Sequence, residues 1–438
     1  MKTSLKKAIQ MRKNWIRKNC MSAALPVLCC LISLGAAGQQ SLHDNGITIQ
    51  VGSRTVKTTK RTAKGTPVVP MWKARMPDRN LSHGAGLPLL KRVQNATVWK
   101  PLSRDQGAYN HFAALVFYKG RFFAMWGNST EGEDAPGQRV LYAWSDQWGK
   151  WSAPRELFPA PGPVKPRSEK GIYLNPDRWI VIGGRLYAVA YVHGAGSYPI
   201  ARAVSAHGRP GRPFIVRDLP AGASVPVFID SKKKHAGASR PSYSSIQDWY
   251  RDHHQVSWWA RSGEGVPDTG VDGSPLIESF SYQARDGGSV LCMRSWGTPH
   301  KPTQNNRLYV SFSDGKGKWS PAYPTDIPDA PSRAQAVSLA DSTVLLIGNQ
   351  IAWTFDHALY LDRDPLTVSV SKDGYTFDRV YALRTGAPKT YRVPGVTGRN
   401  PGFAYPSALA HDGWLYVLYS VGKEDMAISR VPLSAMGL

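Results

Sequence analysis

A repeat of about 58 residues constrains this chain more than any other feature of its sequence. Arg139-Val-Leu-Tyr-Ala-Trp-Ser-Asp146, leading to Gly149-Lys-Trp-Ser152, recurs as Arg307-Leu-Tyr-Val-Ser-Phe-Ser-Asp314, leading to Gly317-Lys-Trp-Ser320. A third copy is Thr367-Val-Ser-Val-Ser-Lys-Asp-Gly-Tyr-Thr-Phe377, and weaker ones are Ala201–Ser205 and Met426–Ser429. The equivalent serines, Ser145, Ser205, Ser313, Ser371 and Ser429, are spaced by 60, 108, 58 and 58 residues. The doubled gap implies a degenerate sixth unit, with Gln255-Val-Ser-Trp-Trp259 near its midpoint.

Each copy follows a loop and an aromatic-rich strand, as in Lys119–Trp126, Gly184–Tyr191 and Asp412–Tyr419. Short strands between turn residues, with little helical periodicity, argue for an all-β chain. Four strands per period describes a β-propeller blade. A β-sandwich does not explain a repeat held over five copies. Six units are visible, and residues 47–98 are available for a seventh or for closing the ring, so seven blades are expected. Asp146, Asp314 and Asp373 read as turn caps, and the aromatic after each as packing between sheets.

The N-terminus reads as a secretory signal. Lys2, Lys6, Lys7, Arg12, Lys13, Arg17 and Lys18 form a basic leader before an apolar stretch from about Ala23 to Leu34 and the small residues Gly35–Gly38. Cleavage before Gln39 is expected, with translation starting at Met1, Met11 or Met21; a retained membrane anchor is the alternative. The organisation is then a signal peptide over 1–38, a basic extension with room for ring-closing strands over 39–95, and a propeller over 96–438. Only Cys292 of the four cysteines outlasts the leader, so the core must provide stability without an internal disulfide. Its apolar setting marks it as a buried hydrophobe. The expected location is the periplasm, the cell surface or the medium of a bacterium, with no membrane insertion after cleavage.

The formal charge of +24 falls to about +17 without the leader. Part of that surplus lies in Arg54, Lys57, Lys60, Arg61, Lys64, Lys73 and Arg75, with no acid among them. Such a field attracts a polyanion, although this run alone also fits a solvated linker. Export and the lack of a binding motif exclude nucleic acid, leaving an acidic polysaccharide or oligosaccharide as the partner of a monomer.

The Ser-x-Asp…Trp turns resemble the Asp boxes of the sialidase-like superfamily. Tyr109-Asn-His-Phe112, Gly120–Trp126 and Glu133–Val140 together resemble the first blade of seven-bladed propellers that handle uronate-containing glycans. These are the ulvan lyases of polysaccharide lyase families 24 and 25, and the rhamnosyl-glucuronate group of glycoside hydrolase family 145 and polysaccharide lyase family 42. Ile277–Tyr282, Met293-Arg294, Thr325–Arg333, Arg363–Leu366, Gly402–Pro406 and Lys423–Asp425 extend the likeness over roughly 95–438. The resemblance implies a metal-independent, cofactor-free β-elimination beside a glucuronate. A glycan-binding propeller and a sialidase-like hydrolase are the alternatives. Three departures stand out. The early arginine motif of sialidases is absent, Phe112 and Gly127–Thr130 stand where the lyases carry a second histidine, and Ser407 replaces a late one.

Elimination alpha to a carboxylate needs a cation on the carboxylate, a base on the ring carbon and an acid for the leaving oxygen. His111 is expected to donate a proton or neutralise the carboxylate, Tyr191 to act as acid/base and Arg202 to clamp the carboxylate. Gln138, Glu278, Arg294, Asn349, Arg363 and Tyr405 are expected to bind substrate. A hydrolase would instead need two carboxylates, for which Glu278 and Glu133 are the candidates. Adjacent His253 and His254, placed on a strand, would point to opposite faces, which argues against a metal site.

Overall fold

In the computed structural model the described residues are 46–78, 80–162, 171–194, 196–220, 223, 225–229, 241–260, 264–296, 306–313, 318–352 and 363–438. They fall within one compact unit, Asn45–Leu438. The signal over 1–38, and Asp314 with its turn, lie outside them. No helix among the described residues is long and apolar enough to cross a membrane.

The fold is an all-β propeller, and among the described residues it has five four-stranded blades, not the seven expected. The first N-terminal hairpin pairs β1 (Ile47–Val51) with β2 (Arg54–Thr58), and β3 (Gln94–Trp99) follows. Blade 1 holds β4 (Tyr109–Tyr118), β5 (Arg121–Ser129), β6 (Arg139–Ser145) and β7 (Arg155–Phe158). Blade 2 holds β8 (Tyr173–Ile182), β9 (Arg185–His193), β10 (Tyr198–Val204) and β11 (Pro210–Ile215). Blade 3 holds β12 (Leu276–Gln283), β13 (Ser289–Ser295), β14 (Arg307–Phe312) and β15 (Tyr323–Pro328). Blade 4 holds β16 (Gln335–Ser338), β17 (Val344–Gly348), β18 (Leu366–Ser371) and β19 (Arg379–Arg384). Blade 5 holds β20 (Phe403–His411), β21 (Trp414–Val421) and β22 (Asp425–Pro432), and takes β3 as its outermost strand. An N-terminal strand thus completes the C-terminal sheet and closes the ring.

The five repeat serines map one to a blade, at or just after the third strand. In the doubled gap the described residues form an insertion and no sixth sheet. Within it lies the helix Tyr243–Asp252, capped by the Ser242 hydroxyl, which accepts from the Ser245 amide. The segment wedges between blades 2 and 3. Ile246 and Tyr250 pack against Ile180, Tyr187 and Val189, while Val256, Ala260 and Val266 pack against Leu276, Leu291 and Tyr309. The other joints are direct, with β4 against β8 and β20, and β16 against β12 and β20.

Because each sheet is sandwiched between neighbours, its strands are buried on both faces, and the alternation expected of a one-sided sheet gives way to continuous apolar runs. Val344–Gly348 is buried throughout. Phe123 and Met125 meet Trp179 and Leu186 between blades 1 and 2; Trp126 and Phe122 meet Tyr416, Leu418 and Ile428 between blades 5 and 1. Each such buried side chain contributes about 1.5–3 kcal/mol. Cys292 belongs to this core, and burial pushes its thiol up to about 12, so it is an inert hydrophobe.

Asp373 caps its turn as expected, accepting from the Tyr375 and Thr376 amides at 2.7 Å each, above a fully buried Phe377. Asp146 does not; its carboxylate faces solvent and pairs with Arg121. Part of the basic 54–75 run docks on the propeller. Arg54 lies 3.3 Å over the Tyr375 ring, and Lys60 bonds Asp326, whose other oxygen accepts from the Met71 and Trp72 amides. His253 and His254 terminate the helix instead of lying on a strand, and no group of three or more His, Cys, Asp or Glu side chains gathers among the described residues.

Candidate active site

Four of the inner strands carry a bulge near the start of the strand: β4 between His111 and Ala114, β8 between Pro176 and Trp179, β12 between Ile277 and Phe280, and β20 between Ala404 and Ser407. A bulge turns an extra side chain out of the sheet's alternation. At three of them a non-glycine residue takes left-handed backbone angles, Phe112 at φ 60°, Glu278 at 55° and Tyr405 at 54°. That conformation is costly for such residues and persists only where packing imposes it.

Here Glu278 and Tyr405 meet. The tyrosine hydroxyl donates to Glu278 Oε1 at 2.6 Å, Arg294 donates from Nε to Glu278 Oε2, and Arg294 Nη2 donates to the tyrosine oxygen at 3.1 Å. Arg333 and Arg363 each lie 5.0 Å from the Tyr405 ring centroid. Three arginines from blades 3 and 4 therefore surround a tyrosine from blade 5. Arg333 and Arg363 each keep Nε and Nη1 without a partner among the described residues, although Arg333 Nη2 donates to Ala113 O at 2.8 Å. Buried guanidinium N–H groups are costly to leave unmet, which marks the cluster as an anion receptor.

The surroundings hold these groups in place. Asn349 Nδ2 donates to the carbonyls of Arg363, Pro365 and Phe403, each at 3.0 Å, clamping the backbone that carries Arg363. Gly402, at φ 112°, runs alongside it; a Cβ there would meet the Arg363 backbone at 2.7 Å. On the blade 1 side, Lys423 bonds Glu133 Oε2 at 2.6 Å.

His111 is fully buried, 4.0 Å from the Tyr405 ring centroid, with Nδ1 2.8 Å from Ser420 Oγ and Nε2 unpartnered among the described residues. Burial first, then Lys423, Arg363, Arg333 and Arg294, hold it well below the usual histidine value, so it is neutral and cannot serve as an imidazolium. Burial alone would raise Glu278, but Arg294 and the hydrogen bonds from Arg294 and Tyr405 outweigh it and keep the group an ionised carboxylate. Burial raises Tyr405 against the opposing pull of Arg294. Burial also pulls Lys423 down to about 8, against the attraction of Glu133, and Arg333 down to about 9. Asp329, buried nearby, is raised well above the carboxylate range by burial despite Arg294.

Of the residues expected from sequence, the structure brings together His111, Glu278, Arg294, Arg363 and Tyr405, with Asn349 supporting them. Gln138 instead ties blade 1 to blade 2 through Leu174 O and Asn175. Tyr191 and Arg202 are not in the cluster. Tyr191 lies on the second strand of its blade, hydrogen-bonded to Ser257 and stacked on His193. Arg202 lies on the third strand and donates to the carbonyls of Gly211 and Leu157, pinning two outer strands. Their partners lie elsewhere, Ser257 and His193 for Tyr191 and the outer-strand carbonyls for Arg202, so neither side chain joins Glu278 and Tyr405. Sequence reasoning missed Arg333, Asp329 and Lys423 as site residues, although each falls in a segment quoted for the family resemblance.

Residues 228–417 match the model of the BNR repeat-like domain. A solved sialidase superposes with a TM-score of 0.62 and 19% identity, over 83% of this chain. This chain spans only 35% of that sialidase's length. The Hadza microbial sialidase Hz136 (TM-score 0.48, 12% identity, 78% of this chain and 69% of that one) and a Trypanosoma rangeli sialidase mutant with trans-sialidase activity (0.42, 12%, 80% and 60%) are more distant. None of the curated proteins matches the sequence. The fold is of the sialidase/BNR propeller class.

Proposed function

We propose that the protein is an exported glycoside hydrolase for glycans bearing a carboxylate-substituted sugar, with Tyr405 as nucleophile, Glu278 as its base and Arg294, Arg333 and Arg363 holding the carboxylate. The observation that carries this reading is the 2.6 Å hydrogen bond from Tyr405 to an ionised Glu278 inside a ring of arginines. A nucleophile with a buried high pKa needs an adjacent base, and Glu278 is that base. As the tyrosine oxygen attacks the anomeric carbon, its proton passes to Glu278 and the glycosidic bond breaks, the leaving oxygen taking a proton from water. A second water then attacks the anomeric carbon and gives its proton to the hydroxide left behind, while Glu278 returns its proton to the released tyrosine oxygen. Glu133, held by Lys423, is the second carboxylate, on the blade 1 side.

A neutral tyrosine, unlike a carboxylate nucleophile, is not repelled by an anionic group next to the reacting carbon. That favours a sugar whose carboxylate is attached at the anomeric carbon, as in sialic acids, over glucuronate, and the sialidase neighbour supports the same choice. Elimination beside a uronate is the second reading, resting on the neutral His111, whose Nε2 has no partner among the described residues. It has lost Tyr191 and Arg202. The deciding experiment incubates the purified protein with an aryl sialoside and, separately, with acidic algal and plant polysaccharides. Release of the phenol supports the hydrolase; an ultraviolet-absorbing unsaturated uronate with no phenol release supports elimination instead.

A further inference from the structure

We infer that the opposite end of the propeller axis holds a second, non-catalytic site for an acidic saccharide. Beyond the bulges, the inner strands run away from Glu278 and Tyr405 and wall a cavity of about 450 Å³. Its lining includes Arg178, Trp179, Trp249, Trp258, His253 and His411. This volume falls within the roughly 300–1,000 Å³ of small-molecule sites.

Three features of the lining identify its ligand. Among the described residues that line it, the ionisable ones are Arg178, His253 and His411, and of these Arg178 carries the fixed positive charge that would attract an anion. Arg178 is only 7% exposed and is anchored through Nε to Val256 O at 3.1 Å; its Nη2 has no partner among the described residues. Asp177 lies beside Arg178 and offsets part of its charge, but the unmet Nη2 N–H still favours a ligand that brings an oxygen acceptor. The walls are flat and aromatic, with Trp249 stacked on His253 at 4.2 Å and His411 on Phe117 at 3.9 Å between centroids. Rings of that kind match the apolar face of a pyranose, and a carboxylate on the sugar meets the arginine.

The cavity is distinct from the arginine cluster. Trp258 stands between them, lining this cavity while Arg333 of the first site packs on its ring at 3.5 Å. Phe117 and His411 also line a surface groove between blades 1 and 5, where Trp148, Tyr416, Lys150 and Arg430 stand with Asp146 and Asp412. The site does not require the first one to be catalytic.

The test is a calorimetric titration of the full chain carrying Arg363→Gln, which weakens the first site, with a galacturonate disaccharide. One equivalent is expected to bind. Adding His411→Ala should weaken binding roughly 3- to 10-fold, the worth of one stacking contact, and adding Arg178→Gln should weaken it roughly 10-fold or more. His411 is partly exposed, so its variant tests the site even if Arg178→Gln does not fold. The inference is overturned if no binding is seen, if neither added substitution weakens it, or if cellobiose binds as tightly. Phosphate or acetate matching the disaccharide would overturn it too, by showing a site for small anions only.

Discussion

Tyr405 on the inner strand of blade 5 donates a 2.6 Å hydrogen bond to Glu278 on the inner strand of blade 3, a residue 127 positions earlier in the chain. Both sit at bulges with left-handed backbone angles, so the contact is imposed by the ring and not by local chain geometry. Replacing Tyr405 with Phe removes the nucleophile and leaves the arginines in place. Turnover of an aryl sialoside should vanish while a carboxylate-bearing inhibitor still binds. Glu278→Gln should cut kcat by about 10²–10⁴, the usual range for a lost general base. Near-normal turnover by folded Tyr405→Phe would end the hydrolase reading.

The Arg294–Glu278 pair is almost wholly buried, with side chains 10% and 5% exposed. Breaking such a pair by removing one partner costs about 3–5 kcal/mol, whereas replacing both with apolar groups costs far less. Chemical denaturation of Arg294→Met should therefore show a larger loss than the double variant Arg294→Met/Glu278→Leu. A double variant that is the less stable of the two would mean the pair itself stabilises the fold.

Gly402→Ala is expected to act on binding. Its Cβ would press on the Arg363 backbone in a conformation that alanine rarely adopts. KM for a carboxylate substrate should rise more than kcat falls, and the melting temperature should drop. A variant with unchanged KM would show that Arg363 does not contact substrate.

The pH dependence has a defined sign. His111 binds its proton less readily folded than unfolded, so below the ordinary histidine value the unfolded chain takes up more protons, and stability drops as the pH is lowered. Lys423, held at about 8 against an ordinary 10.5, adds a second window: between those values the unfolded chain again binds more protons, so its contribution makes stability rise with pH. His111→Phe should remove the acid-side loss in urea denaturation measured at pH 5 and 7. An unaltered pH slope would show that another group sets it.

Asp326 joins the N-terminal segment to blade 3 by accepting from Met71, Trp72 and Lys60. Asp326→Ala should loosen that segment before it affects the blades, speeding limited proteolysis within 60–75 while the remaining propeller resists. Equal cleavage rates in the two proteins would show that Val69, Met71 and Trp72 hold the segment by packing alone.

By itself the sequence determined the architecture and many of the residues at the axis. Asp373, Phe377 and the five serines marked one blade each, because a blade must repeat the same turn chemistry and the same buried aromatic to pack on its neighbours. Glu278, Arg294, Arg363 and Tyr405 could be picked out because they fall in segments that resemble the uronate-handling propellers. The number of blades was not legible: an insertion of one repeat's length counts like a blade, and only three-dimensional packing shows Ile246 and Tyr250 wedged against blade 2 where a sheet would stand. Nor did spacing distinguish the strand that reaches the axis from those that do not. That is why Arg202, fit for a clamp by composition, turned out to pin outer strands, and why Arg333 came to face a tyrosine from another blade. Sequence periodicity records what each blade needs locally, whereas ring closure decides which side chains from distant blades share one volume.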